Sequence, residues 1–407
     1  MTSTRAAVYY DPYDYEIDAD VHPVWKRLRD EAPVYRNDKY GFYALSRYEH
    51  VLPAMLDTST FSSAHGIVLE EMTEDEFPVP LVIMMDPPRH TVLRKLVSRA
   101  FTPRAIANLE DRIRGLCREM LEPFEGSDSF DYVDSFGALL PPSVILALLG
   151  FPEGLAAEFR VTVDSGMHIE EGDGAVRSTE ETAERYGGGP AGLHAVLAEV
   201  VEDRRRAPRD DLVSAVLHAE VEDVDGTRRG VRDEEFYGFV SLLSGAGTET
   251  VARLLGWTAV ILARNPDERQ LLVDDPGLIP GGVEELLRYE APSPINSRWV
   301  TRDVEVDGTV IPAGSKVALL NGSANRDERH FTDPDRFDVR RVIDRHLSFG
   351  YGAHYCIGAA LARLEGRIAL EETLKRFSSW EIDDTELRWV HTSTVRGFDR
   401  VPIHLTR

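Results

Sequence analysis

Apolar positions recur mostly at helical spacing from Pro88 to the region of Gly282, and as short strand-like runs near both ends of the chain. Val24 to Glu31 reads as a short helix, followed by two strand-like runs, Val34 to Arg36 and Gly41 to Leu45, with Asn37 and Asp38 between them as a small hairpin. Asp86-Pro87-Pro88 is a cap-and-proline start for a helix through Ala100, and Thr102-Pro103 breaks the pattern before a second helix over Ala105 to Glu122. The longest helical pattern runs from about Asp233 to Arg264. Gly166 to Pro190, rich in Gly, Glu and Thr without periodicity, predicts a mobile surface excursion or lid. Late in the chain, Val300 to Val306 and Thr309 to Ile311 read as strands joined across Asp307-Gly308, a hairpin-turn pair. An irregular stretch from Asp333 to Tyr355 then leads into an apolar helix over Cys356 to Phe377. Helices with small sheets at both ends predict a mainly α, α+β fold. With no repeat and no low-complexity linker, the expectation is a single domain over 1–407.

Composition narrows the function. Of 407 residues 43% are hydrophobic and 29% charged, which fits a globular chain with a large core. Two cysteines, Cys117 and Cys356, exclude a disulfide scaffold and a Cys-rich zinc module, and fit a reducing cytoplasm. The opening residues carry no apolar run of signal-peptide length, and the most apolar stretch, Phe239 to Ala263, contains Glu249 and Arg253, so no membrane anchor is expected. A net charge of -24 opposes attraction to nucleic acid or anionic membrane.

Chemistry concentrates in residues 347 to 358, Leu-Ser-Phe-Gly-Tyr-Gly-Ala-His-Tyr-Cys-Ile-Gly. Gly350, Gly352 and Gly358 allow turns and close approaches that side chains would block, and a cysteine at a helix start has its thiolate favoured by free N–H groups. The spacing F-G-x-G-x-H-x-C-x-G, carried by Phe349, Gly350, Gly352, His354, Cys356 and Gly358, resembles the haem-binding loop of cytochromes P450. The chain as a whole resembles a soluble bacterial member of that family.

The resemblance implies a set of roles. Cys356 would be the thiolate ligand of the iron of haem b, whereas Cys117 is expected to be a packing residue. In the longest helix, Gly245 and Gly247 weaken the pattern beside hydroxyl residues, which reads as a local distortion or as close helix packing. Ala246, Gly247, Glu249 and Thr250 match the family's oxygen-binding motif, giving Glu249 and Thr250 a proton-relay role. Glu285 and Arg288 match the E-x-x-R pair, with Arg336 as the expected third member of a buried triad that positions the cysteine loop. His90, Arg94, Arg298 and His354 match the residues that pair the haem propionates.

These matches imply a haem-thiolate monooxygenase that inserts one atom of O2 into a small, largely apolar substrate. A peroxide-driven peroxygenase and a non-catalytic haem sensor are the alternatives; the retained Glu249-Thr250 pair disfavours both. No flavin or nicotinamide fingerprint follows a predicted strand, so electrons are expected from NAD(P)H through a separate ferredoxin and ferredoxin reductase. Arg363, Arg367, Lys95, Arg99 and Arg104 are expected to form a basic docking patch for that ferredoxin. Expected pocket residues are Leu242, Gly245, Ala246, Pro294, Ile295 and Phe398.

Overall fold

The helix over Asp233–Arg264 starts where Glu235 accepts the Arg232 backbone N–H at 3.0 Å, and its middle is apolar on nearly every face, so it is buried through the centre of the molecule. The computed structural model describes residues 7–77, 79–98, 101–151, 153–156, 160, 191–209 and 211–406. The lid expected over Gly166 to Pro190 lies outside them, as do Arg99 and Ala100. Six helices set the site: α1 (Tyr48–Leu56), α2 (Arg89–Ser98), α3 (Leu140–Leu149), α4 (Asp233–Arg264), α5 (Ile279–Tyr289) and α6 (Ala359–Arg376). α4 packs against α3, α5 and α6. A Cβ at Gly247 would lie 2.9 Å from Ile145 Cδ1 of α3, so this glycine serves close packing, and α4 is continuous through it. Among the described residues no helix is long and apolar enough to cross a membrane.

The sheets at the two ends of the chain are joined into one. β1 (Val34–Asn37), β2 (Phe42–Leu45), β3 (Phe61–Ser62), β4 (Ile295–Val300) and β5 (Lys316–Leu320) form a five-stranded sheet in the order β1-β2-β5-β4-β3. β5 runs parallel to β2 with Lys316 opposite Phe42, and antiparallel to β4 with Val317 opposite Arg298. A separate hairpin, β6 (Arg388–His391) and β7 (Arg396–Arg400), lies on α4, where Trp257 Nε1 donates to Arg396 O at 3.0 Å.

Several expected boundaries move. The strand expected over Val300 to Val306 is two, ending at Val300 and resuming over Val304–Val306. Between them Thr301 N–H donates to Thr60 O and Asp303 accepts the Ala313 N–H, both at 2.9 Å, which turns the chain aside. Asp307 and Gly308 both have positive φ, 48° and 75°, as a primed hairpin turn requires. The helix expected over Ala105 to Glu122 is divided into Pro103–Ala107 and Glu110–Leu121, and the one over Cys356 to Phe377 begins only at Ala359.

Gly322, in the turn after β5, fixes how the sheet meets the N-terminal helix: a Cβ there would lie 2.7 Å from the Trp25 ring and 2.8 Å from Pro294. Both residues are buried. Gly322→Ala is expected to cost about 1–3 kcal/mol by overpacking, read as a lower thermal midpoint; an unchanged midpoint would show that the sheet end yields freely.

Candidate functional site

Two left-handed glycines, Gly350 at φ 66° and Gly352 at φ 71°, fold residues 348–358 back on themselves, and a Cβ at Gly352 would lie 3.2 Å from Met55 O of α1. The Cys356 N–H then donates to Phe349 O at 2.8 Å. Cys356 therefore precedes α6, with Ile357 and Gly358 completing the turn that leads into it. Burial raises its thiol pKa, while the N–H groups of Gly358 and Ala359, with Arg94 and Arg363, favour the thiolate. Cys117 is fully buried; burial, then Glu365 and Glu372, push its thiol well above the usual range, as for a packing residue.

This loop is gripped from α5. Glu285 and Arg288, both wholly buried, are joined by Nε to Oε2 at 2.7 Å and Nη2 to Oε1 at 2.9 Å. Arg288 Nη1 donates onward to Asn325 O and Pro334 O, both at 2.9 Å. Asn325 in turn accepts the Leu347 N–H at 2.7 Å and donates to Ser348 Oγ at 2.8 Å, which ties the pair to the start of the cysteine loop. The expected third member does not take part: Arg336 is 59% exposed and faces Asp338 at 3.7 Å. Arg341 takes its place, with Nε 3.1 Å from Glu285 Oε1. The cause is the path of the loop. Arg341 donates to the backbone oxygens of Thr332, Asp333 and Arg336, so it fills the inside of the turn and leaves Arg336 outside. Asn325 and Arg341 carry no pattern in the sequence that marks them.

A cavity of about 330 Å³ is bounded by α4, α6, the cysteine loop and the Thr392–Val395 turn between β6 and β7. Cys356, Arg94, Arg298 and His354 line it, and the His90 ring packs on His354 with centroids 4.4 Å apart. Polar groups here lack partners: both ring nitrogens of His90 and Nε2 of His354 are buried without a hydrogen bond. Arg298, 6% exposed, donates to Ser297 O at 2.7 Å, leaving most of its fork uncommitted. Burial, then Arg94, lowers the His90 pKa to about 4; burial lowers Arg298 to about 10. Arg94 donates to Tyr355 O. Buried donors without acceptors are costly, and their convergence fits the two carboxylates of the haem that the sequence resemblance implies.

Across the cavity, Thr250 Oγ1 donates to Ala246 O at 2.7 Å, and Glu249, 1% exposed, is paired with Arg253. Leu242, Gly245 and Ala246 line the cavity as expected. Pro294, Ile295 and Phe398 do not. Pro294 and Ile295 face a small pocket on the other side of the sheet, beside Trp25. Phe398 is wholly buried against Trp257 and Trp389. Pro292, Ser293, Asn296 and Val395 line the wall instead. Glu365 of α6 also lines the cavity, with Oε2 unpartnered and its carboxyl pKa raised well above the usual range by burial. A charge one turn after Leu361 in an apolar stripe was the available sequence signal for it.

The expected docking patch is partly neutralised. Arg363 binds Glu284 through Nε at 2.6 Å and Nη2 at 3.0 Å, and donates to Tyr355 OH at 3.0 Å. Despite burial, His346 and Arg363 hold the Glu284 carboxyl down at about 2. Arg367 is paired with Glu110 and Glu371. Lys95 and Arg104 remain exposed, and Arg99 lies outside the described residues.

A family model described as Cytochrome P450 matches residues 279–395. Cytochrome P450 123 of Mycobacterium bovis is 40% identical over 396 residues, covering 97% of this chain and 96% of that protein. The solved cytochrome P450 CYP109Q5 of Chondromyces apiculatus is 34% identical with a TM-score of 0.84, covering 98% of both chains. CYP109E1 of Bacillus megaterium, solved in complex with testosterone, is 29% identical with a TM-score of 0.85, covering 96% of this chain and 99% of that one.

The exchange of arginines gives a direct test. Arg341→Ala is expected to lower the thermal midpoint and the yield of cofactor-loaded protein, since it removes a guanidinium from a wholly buried carboxylate, a loss of about 1–3 kcal/mol. Arg336→Ala should change neither. Equal losses in the two variants, followed by thermal melts and absorbance, would remove the assignment.

Proposed function

Because the chain belongs to the cytochrome P450 family of haem monooxygenases, we propose that it inserts one oxygen atom of O2 into a small, largely apolar substrate, with electrons delivered from NAD(P)H through a separate ferredoxin and ferredoxin reductase. The observation that carries this reading is Cys356 in the wall of a cavity where Arg94, Arg298 and His354 converge, with unpartnered donors among them. We further take 1–407 to be one haem domain within the cytoplasm.

In this proposal Cys356 Sγ holds the iron, and Arg94, Arg298, His354 and His90 hold the propionates. When bound, haem supplies the iron at which dioxygen is reduced and cleaved. Phe349, Gly350 and Gly358 shape the bed under it, while Glu285, Arg288 and Arg341 keep the loop in register. Thr250 delivers a proton from Oγ1 into the cavity, and Glu249, protonated from bulk water between turnovers, returns one to it as a carboxyl and is left as a carboxylate. Leu242, Leu81, Val82 and Phe239 line the cavity and exclude water from the substrate end. Lys95 and Arg104 steer the acidic donor protein, and Arg363 and Arg367 act there less as free cations than as parts of ion pairs. The B. megaterium relative that holds testosterone makes steroids one class of compound to test.

Cys356→Ser is expected to abolish the red-shifted Soret band of the reduced carbon-monoxide complex, because a neutral alcohol is a far weaker ligand than a thiolate; survival of that band would remove the ligand assignment. Thr250→Ala is expected to keep the band and to raise the hydrogen peroxide released per NADPH consumed severalfold, measured with a surrogate ferredoxin and reductase. Unchanged peroxide would take Thr250 out of the relay. For the substrate class, testosterone and a long-chain fatty acid added to the ferric enzyme are expected to differ in the spin-state shift they produce, and the stronger response identifies the better scaffold.

A further inference from the structure

The cations that line the cavity, Arg94 and Arg298, belong to the propionate set, but one buried acid in its wall has no part in the chemistry above. Glu70, 6% exposed, lies on the short turn Leu69–Glu71. Ser393 Oγ donates to its Oε1 at 2.8 Å and Tyr13 OH to its Oε2 at 3.1 Å. Burial, then Glu70, push the Tyr13 phenol well above its usual range, so it stays a donor. A carboxylate offers about four acceptor positions, so these two hydroxyls leave capacity on each oxygen. Three segments meet here. Ser297 N–H donates to Ile67 O at 2.8 Å and Thr394 Oγ1 to Ile295 O at 3.0 Å, which brings residues 67–71, β4 and the Thr392–Val395 turn to one corner of the cavity. Asn296 of β4 lines that corner with its amide unbonded among the described residues. It stands on the same strand face as Arg298, about 7 Å along β4, so the corner is within one small molecule's length of the propionate residues.

Glu235, Glu285, Glu290 and Glu372 are buried against the guanidinium groups of Arg229, Arg288, Arg326 and Arg376, at 2.8, 2.7, 2.8 and 2.7 Å. Glu70 is not. Among the described residues no cation stands within ion-pair distance of it; Lys316, whose charged form it favours, spends Nζ on Leu69 O at 3.1 Å. Glu71, next on the turn, is a second acid in the cavity wall. Taking a carboxylate out of water without a paired cation is costly, and two neutral hydroxyls repay only part of that cost. The corner is therefore short of a positive donor.

We infer that Glu70 determines specificity and that the substrate is a lipophilic amine, protonated at neutral pH, whose ammonium N–H donates to Glu70 while its apolar skeleton lies along Leu242, Leu243 and Ala246 of α4. This rests on the reading of the cavity as the substrate site of a monooxygenase. A charge-assisted bond in a site shut from water is stronger than one between neutral groups, and the ammonium supplies the cation that the fold withholds. An alcohol donates to Glu70 but leaves its charge unmatched. A carboxylate in the same place is repelled.

The test titrates the haem-loaded protein at neutral pH with N,N-dimethyldecylamine, 1-decanol and decanoate, which match in chain length and differ in charge, and reads affinity by calorimetry and by the ferric Soret band. The amine is expected to bind about tenfold tighter than the alcohol, and decanoate more weakly than either. Glu70→Gln should remove most of the amine's advantage while the alcohol binds as before. Tyr13→Phe takes a hydroxyl from the carboxylate but leaves its charge, so it should keep the advantage even where the thermal midpoint falls. An amine bound no tighter than the alcohol, decanoate bound tightest, or an advantage that survives Glu70→Gln overturns the proposal. So does a red-shifted Soret band with the amine, which would put its nitrogen on the iron instead of on Glu70. Should Glu70→Gln fail to fold, Glu70→Asp decides, because it draws the charge back by one methylene: amine affinity that falls while alcohol affinity holds supports the role, and unmoved amine affinity removes it. Calorimetry needs no turnover, so failure of the monooxygenase reading would appear separately, as a missing carbon-monoxide band or as no oxidised product from a bound amine supplied with a surrogate ferredoxin and reductase.

Discussion

The buried pair Glu285–Arg288 is the constraint on which the site depends. Four donors converge on the one carboxylate: Nε and Nη2 of Arg288, Nε of Arg341 and the Asp338 N–H. Arg288 carries the restraint on to Asn325 and Pro334. Three irregular segments, around residues 325, 334–341 and 347–348, are thereby indexed to one face of α5. Apart from the single helical turn Asn321–Ala324 that ends at Asn325, none of them has a strand ladder or a helix of its own to set its path, so side chains must satisfy the backbone groups that regular structure would otherwise pair. Replacing such a network with apolar residues of similar volume can be neutral for stability, but removing one member leaves a charge buried and unpaired. The pair is better understood as fixing where the cysteine loop stands than as a source of net stability.

The opposite end of the cavity is built on the reverse logic. His90 and Arg298 are buried and His354 half-buried, all with hydrogen-bonding capacity unused, and desolvation pulls their pKa values down. Groups of this kind disfavour the folded state until an anion meets them, and whatever binds the folded state alone stabilises it by mass action. Stability and cofactor loading are therefore linked quantities in this chain. The same principle separates Glu249, which is paired with Arg253, from Glu365, whose carboxyl is bonded to no cation among the described residues and is driven toward its neutral form.

What could be read from the sequence was local. The cysteine loop, the helix from Asp233 to Arg264 and the Asp307-Gly308 turn each depend on neighbours within a few residues, and each is found where its residues predict it. The errors came where a tertiary path decides. Arg336 and Arg341 are equivalent in composition, and only the turn around Asp333, with φ at 48°, settles which guanidinium points inward. Ile295 missed the cavity because strand residues alternate faces, so that Asn296 looks in where Ile295 looks out, and Pro294, just before the strand, is turned toward Gly322 and Trp25. Arg363 counted as free positive charge in the sequence, yet its partner Glu284 is distant along the chain; Arg367 is paired both with the distant Glu110 and with Glu371 four residues on, a partner the helical spacing offered.

The mixed sheet has a consequence for how the molecule comes into being. β2 is completed by β5 and β3 by β4, so strands made in the first 62 residues wait for partners that begin at residue 295. The Thr392–Val395 wall arrives later still, after β4 and β5 are made. During synthesis the early strands carry open edges with nothing to pair them, which is the condition under which nascent chains recruit chaperones or associate with one another. No nascent chain that lacks residues 392–395 can enclose the cavity. Cofactor capture therefore waits for these residues, and the supply of cofactor competes with aggregation for the newly made protein.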